Sequence, residues 1–194
     1  MKRLLYLLPL LVLVSFTKLE TGTNSTSVRI TPQSKLHIKG TSNVTDFTCQ
    51  YNIKNLNAPI RIHYESADNV IKFEKSELIL ENSGFDCGGK GINRDFQDLL
   101  KSDTYPEITL SLKQIKLNPN KKNTADASIE IEIAGQKHTY HMATKFHQNN
   151  GWHISGLLKL NINDFDLEAP KKMLGLIVVS EEIEINFKLV VEEC

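Results

Sequence analysis

Residues 85–110 read FDCGGKGINRDFQDLLKSDTYPEITL. Within them Ile92, Phe96, Leu99 and Leu100 fall at i, i+4, i+7 and i+8, which puts them on one face of a helix. Asn93 can cap the start with its side-chain oxygen, and Asp95 sits favourably in the first turn. Tyr105-Pro106 closes the segment, because the residue before proline is driven out of the α region. The spacing predicts one short helix near 93–102. On either side apolar residues recur at every second position, so the helix interrupts a chain of β-strands.

The most regular alternation lies C-terminal to that helix. Ile108, Leu110 and Leu112 share a face. Ile129, Ile131 and Ile133 point one way and Ser128, Glu130 and Glu132 the other, ahead of a turn at Gly135-Gln136 and a returning strand through Tyr140 and Met142. Asn150-Gly151 marks the next hairpin. Trp152, Ile154, Leu158, Leu160 and Ile162 then share parity, with Gly156 where a strand bends or a bulky group approaches. In the last strand Ile183, Ile185, Phe187, Leu189 and Val191 share a face. N-terminal to the helix, Val28 with Ile30, Leu36 with Ile38, residues 47–53, and Ile60, Ile62 and Tyr64 alternate, with a break at Pro32 and shorter strands at 70–73 and 77–80. Residues 118–123 form an exposed turn. Strands with one apolar and one polar face make an antiparallel sheet wet on one side, and this many of them with one helix leaves a barrel or a sandwich.

Several short motifs are set along this framework. Gly40-Thr41-Ser42-Asn43-Val44-Thr45-Asp46-Phe47 follows the first strand; Ile92-Asn93-Arg94-Asp95-Phe96 precedes Tyr105-Pro106-Glu107-Ile108-Thr109-Leu110; Ile133-Ala134-Gly135-Gln136-Lys137 sits at a hairpin and Asn163-Asp164-Phe165 late in the chain. In that order, over residues 34–191, the chain resembles the YceI-like family of bacterial extracytoplasmic proteins. The resemblance implies an all-β fold: an extended, lipocalin-like antiparallel β-barrel of about eight strands, a size that side chains or one slim ligand can fill. Some members hold a polyisoprenoid or similar long apolar molecule. The chain departs from the family at Ala134-Gly135-Gln136, where many members have Gly-Val-Thr.

The chain's 194 residues, 40% hydrophobic and 24% charged, support one sizeable core. Its 23 basic and 23 acidic residues balance, without the basic stripe of a nucleic-acid binder. Lys2-Arg3 followed by the apolar run of residues 4–14 resembles a secretory signal and is too short to span a bilayer. No cysteine follows it to take a lipid. The expected layout is a signal peptide at 1–17, a flexible leader at 18–27 and a barrel domain at 28–194, exported to the periplasm or secreted, with no stable membrane span. Three cysteines in an oxidising compartment fit one bridge, and Cys49 with Cys87 is the pair inside the β region. That bridge would tie the second strand to the loop before the helix. Cys194 is left over, and a homodimer stays open.

Catalytic motifs are missing. No His-x-His places two ligands on one face of a strand, and His138 and His141, three apart, point to opposite faces. His37, His63, His147 and His153 lie on different strands and meet only if the fold brings them together. Gly88-Gly89-Lys90-Gly91 lacks the Lys-Ser/Thr of a phosphate loop and reads as a turn. Asp164 and Asp166 flank Phe165 at a strand end and would share a face there, as a solvated turn equally explains. No catalytic residue, metal ligand or cofactor is predicted, and no enzyme. Residues 169–175, with Met173 and Leu174 beside Lys171 and Lys172, read as a connecting loop that would also be placed to cover a barrel mouth.

The function expected is a binding protein that sequesters or carries a long apolar molecule, an isoprenoid lipid, quinone or similar, inside the barrel. The residues expected to line it are Ile60, Ile62, Tyr64, Phe73, Phe96, Ile108, Leu110, Ile131, Tyr140, Met142, Trp152, Ile154, Leu158 and Phe187. Taken singly, each is better accounted for by core packing than by ligand contact. On the carrier expectation, Ile131→Trp fills part of a cavity and weakens lipid retention. The alternative is a filled barrel with no small-molecule ligand that meets a partner through its loops or an edge strand.

Overall fold

In a computed structural model of the protein, residues 23–172 and 176–194 are described; the expected signal segment and Met173 and Leu174 lie outside them. The described residues form thirteen strands, of which β7 and β12 fall in stretches expected to be loop: β1 (Asn24–Ile30), β2 (Lys35–Ser42), β3 (Phe47–Tyr51), β4 (Ile60–Ala67), β5 (Val70–Lys75), β6 (Glu77–Glu81), β7 (Phe85–Asp86), β8 (Glu107–Leu117), β9 (Thr124–Ile133), β10 (Gln136–Gln148), β11 (Trp152–Asn161), β12 (Lys171–Lys172) and β13 (Ile177–Glu193). The helix α1 (Lys90–Leu99) falls between β7 and β8.

Eight of these strands close on themselves in the order β1-β4-β5-β8-β9-β10-β11-β13, the ring being shut by antiparallel pairing of β1 with β13 through Val28↔Glu193 and Ile30↔Val191. Closure removes the unpaired edges of an open sheet. The 17-residue β13 is long enough to carry two partners on one side. Its C-terminal end pairs β1, and the stretch before that pairs β2 from Phe187↔Leu36 to Ile183↔Gly40. Strands β1 and β2 thus lie end to end along β13, separated by the turn at Thr31 to Ser34, where Pro32 has no N–H to give a ladder. From β2 the sheet continues through β3 to the short β7.

This side extension carries the helix. Cys49 of β3 is disulfide-bonded to Cys87, as expected, and the rings of Tyr51 and Phe85, with centroids 4.9 Å apart, continue to Phe96 of α1 at 5.1 Å. Ile92, Phe96 and Leu99 are half-buried and Leu100 is fully buried, so the predicted helical face is the one that packs. The helix starts three residues before its expected cap. Asn93 sits in its first turn, where its side chain accepts from Cys87 N at 2.6 Å and donates to Asp86 at 3.0 Å, bracing the entry loop instead of capping the helix. The stop comes at Lys101, in the left-handed region at φ 54°, ahead of Tyr105-Pro106.

Two further expectations are corrected. Residues 24–27 are not leader but strand, because Asn24 to Ser27 pair with Tyr64 to Arg61 through backbone groups that need no apolar pattern. Asp164 and Asp166 do not share a strand face. Residues Ile162–Phe165 form a single 3-10 turn, which leaves Asp164 pointing at Tyr140 and puts Asp166 in the left-handed region at φ 53°.

Candidate functional site

Cross-strand partners share a face, so the registers decide which side chains enter the ring. Ile154 opposite Leu189 and Phe146, Leu158 opposite Ile185, Ile131 opposite Leu110, Ile129 opposite Leu112 and Tyr140, Tyr64 opposite Phe73, and Ile62 opposite Thr26 make one continuous inner surface. At Gly156, opposite Phe187, the wall has no side chain of its own. The Phe187 ring covers it so closely that a β-carbon there would come within 2.7 Å of Phe187 Cζ.

Along this inner surface burial is not uniform. On β11 alone, exposure rises from 3% at Leu160 and 5% at Leu158 through half-buried Ile154 to 38% at Trp152. The well-buried end is sealed by the 3-10 turn: Phe165 is fully buried, its ring 5.4 Å from His138 and 6.1 Å from Tyr140, and Leu167 follows it into the core. Tyr140 donates its hydroxyl to Asp164 at 2.6 Å, a charge-assisted bond that ties the turn to the wall. Burial first, then Asp164's acceptor and charge, holds the Tyr140 phenol far above its ordinary range, so it remains a donor. Toward the other end Ile62, Tyr64, Phe73, Phe146 and Ile154 are half-buried, while Ile30, Ala125 and Ala127 on the same face are fully buried.

The expected lining residues sort along this gradient. Ile108, Ile131 and Leu158 are fully buried in the sealed core. Ile60, Leu110, Tyr140, Met142 and Phe187 are half-buried against that core, and so is Phe96, on the helix instead of a ring strand. Ile62, Tyr64, Phe73, Trp152 and Ile154 face inward but lie outside it. With Ile131 1% exposed, a tryptophan there overpacks the seal and does not test for a cavity; half-buried Ile154 is the position that does.

The sequence reading missed Ile71, Ile115, Leu117 and Phe146, which join the same half-exposed surface. A bulge at Lys113 is responsible for two of them. It shifts the register between Leu112 and Gln114, so Leu112 and Ile115 face inward although they differ in parity. Phe146 was detectable, four residues beyond Met142 on one strand. Of the histidines, His147 and His153 stack at 4.6 Å, but among the described residues no group of three His, Cys, Asp or Glu could hold a metal ion. No helix among them is long and apolar enough to cross a membrane.

Comparison with known proteins agrees with this architecture. No curated protein matches the sequence. Among solved structures, the chain is similar to a polyisoprenoid binding domain from Saccharophagus degradans implicated in plant cell wall breakdown, with TM-score 0.62 and 14% identity over 87% of this chain and 99% of that one. It is similar to Burkholderia cenocepacia BcnA, with TM-score 0.56 and 19% identity over 82% and 96% of the two chains. The Campylobacter jejuni YCEI protein matches with TM-score 0.52 and 16% identity over 63% and 74%. At these identities the likeness is one of fold. A family model for the YceI-like domain matches residues 71–191, more than half of the chain. The chain thus belongs to the YceI-like domain family.

Proposed function

We propose that this protein is an exported carrier that holds one long apolar molecule, an isoprenoid lipid, a quinone or a similar chain, inside its barrel. The observation that carries the proposal is the inner surface of the ring, largely apolar and sealed at the 3-10 turn, on which Ile62, Tyr64, Phe73, Phe146 and Ile154 stay half-buried toward the opposite end. Such a surface stays stable as a wall because the seal supplies the core, while the remaining apolar faces gain by covering themselves with a ligand. Burying that area against hydrocarbon contributes on the order of 25 cal/mol per Å². The family and the polyisoprenoid binding relative support the class of ligand.

Ile62, Tyr64, Phe73, Trp152 and Ile154 are the proposed contacts in the open half, with Ile71, Ile115, Leu117 and Phe146 added to them. Ile60, Leu110, Tyr140, Met142 and Phe187 form the floor, and Ile108, Ile131 and Leu158 the seal beneath it. Phe96 supports the side extension. Export is supported by the basic pair and apolar run at the N-terminus and by the disulfide.

The test is mass spectrometry of an organic extract of protein purified without detergent from the compartment in which it accumulates. A stoichiometric isoprenoid, quinone or fatty acid supports the carrier and names its cargo. Protein that is empty, and that takes up no added lipid, leaves the filled-barrel interaction protein in its place.

A further inference from the structure

The outer wall of the barrel carries a concave groove of about 450 Å³ across β2, β13, β11 and β10. One cross-strand line of its lining runs Lys35–Lys188–Ser155–Lys145, each residue directly opposite the next. Lys35 and Lys188 are therefore like charges facing each other across a ladder, an arrangement that destabilises a sheet. None of Lys35, Lys145 and Lys188 forms an ion pair among the described residues. Four residues further along β2 and β13 the outer wall is neutralised in the ordinary way. Lys39 and Lys159 stand on either side of Glu184, Lys159 bonds it at 3.2 Å, and Lys39 bonds Asp46 at 3.0 Å. Between these lines lie His37, Asn186, Leu157 and Ala143, with Leu157 45% exposed.

We infer that this groove is a binding site for a phosphate-bearing amphiphile on the outer side of the wall, which Gly156 and Phe187 also line. Its phosphate would bridge the ammonium groups of Lys35, Lys188 and Lys145 with Ser155 as a hydroxyl partner, and its apolar part would lie over Leu157. The lysine line spans three strand spacings, roughly 14 Å, and the long side chains on it can converge on one anion. An anion placed there turns the like-charge repulsion of Lys35 and Lys188 into charge-assisted bonding. That accounts for a locally unneutralised line in a protein whose 23 basic residues, these lysines included, equal its 23 acidic ones.

The experiment follows backbone amide shifts of the full mature chain during titration with inorganic pyrophosphate. In parallel it measures co-sedimentation with phosphatidylcholine vesicles containing or lacking phosphatidylglycerol. Saturable shifts at Ser155, Leu157 and Asn186 on adding pyrophosphate support the site with a soluble phosphate as ligand. Sedimentation with phosphatidylglycerol vesicles alone supports it with a lipid headgroup as ligand. In either case Lys188→Gln and Lys35→Gln should weaken binding about tenfold while keeping or raising the unfolding midpoint, because each removes the repelling pair. Lys113→Gln, on β8, should leave binding unchanged. No binding of either probe overturns the inference, as does equal weakening by Lys113→Gln or binding that survives both groove variants.

Discussion

At the scale of single residues, the joints of this fold rest on a few polar and glycine positions. Asn82 is 1% exposed, and its side-chain amide donates to Ser102 at 2.9 Å and to the Tyr105 carbonyl at 2.8 Å while its backbone N–H reaches Pro106. It therefore locks the turn before β7 to the segment after α1. Asn82→Ala removes both donations from a position that is itself buried and should cost about 2 kcal/mol, read as a lower urea midpoint. Gly135 is a second such joint. With Ala134 at φ 50° and Gly135 at φ 79°, both central residues of the β9–β10 hairpin are left-handed, and a β-carbon on Gly135 would meet Tyr105 Cε1 at 2.9 Å. Gly135→Ala should cost about 1–2 kcal/mol from the backbone alone, with the Tyr105 contact adding to it.

At the scale of elements, what was legible in the sequence is what local pattern controls. Ile183, Ile185, Phe187, Leu189 and Val191 share the face their parity predicts, opposite Leu160, Leu158, Gly156, Ile154 and Trp152, and Ile92, Phe96, Leu99 and Leu100 mark the face by which α1 packs. Pattern failed where a distant partner sets the outcome. Asn24 to Ser27 look like a leader because their pairing with β4 is made by backbone, the bulge at Lys113 inverts parity without altering composition, and the seal depends on a turn whose Phe165 resembles any strand-end aromatic. The expected cap at Asn93 shows the same limit, since its side chain reaches Asp86 and Cys87 in the loop before the helix. Asp86 accepts first from Gly88 N–H and then from Asn93, and these bonds hold its carboxyl below the ordinary range. A depressed carboxyl contributes stability above its unfolded pKa of about 3.9 and loses it as pH falls through the lower folded value. Asp86→Asn should therefore unfold more readily than the parent at around pH 7, and the difference should shrink as pH falls below the unfolded pKa of about 3.9, in urea titrations across that range. The disulfide anchoring the same loop closes a separation of 38 residues. The double substitution Cys49→Ala, Cys87→Ala should cost about 4 kcal/mol in the chain-entropy model, measured against the oxidised parent.

At the scale of the whole molecule, the carrier proposed above needs one ring to be both a rigid wall and a container, and burial differs along the barrel axis. Ile108, Ile131, Leu158, Leu160 and Phe165 pack at one end as a core would, while Ile62, Tyr64, Phe73 and Ile154 face the same interior from positions outside that core. The division predicts opposite responses to one kind of substitution. Ile131→Trp forces an indole among neighbours that leave 1% of the residue exposed, and should lower stability by about 1–3 kcal/mol through overpacking. Ile154→Trp adds the same group where solvent now reaches. It should leave the urea midpoint within about 0.5 kcal/mol of the parent and instead reduce the lipid carried per protein, since the indole occupies volume that a ligand would fill. Lipid content by mass spectrometry and unfolding midpoints measured on both variants separate container from solid barrel. If Ile154→Trp destabilises as much as Ile131→Trp, the interior is packed from end to end. If it keeps both its stability and its full cargo, the molecule is not held in the ring.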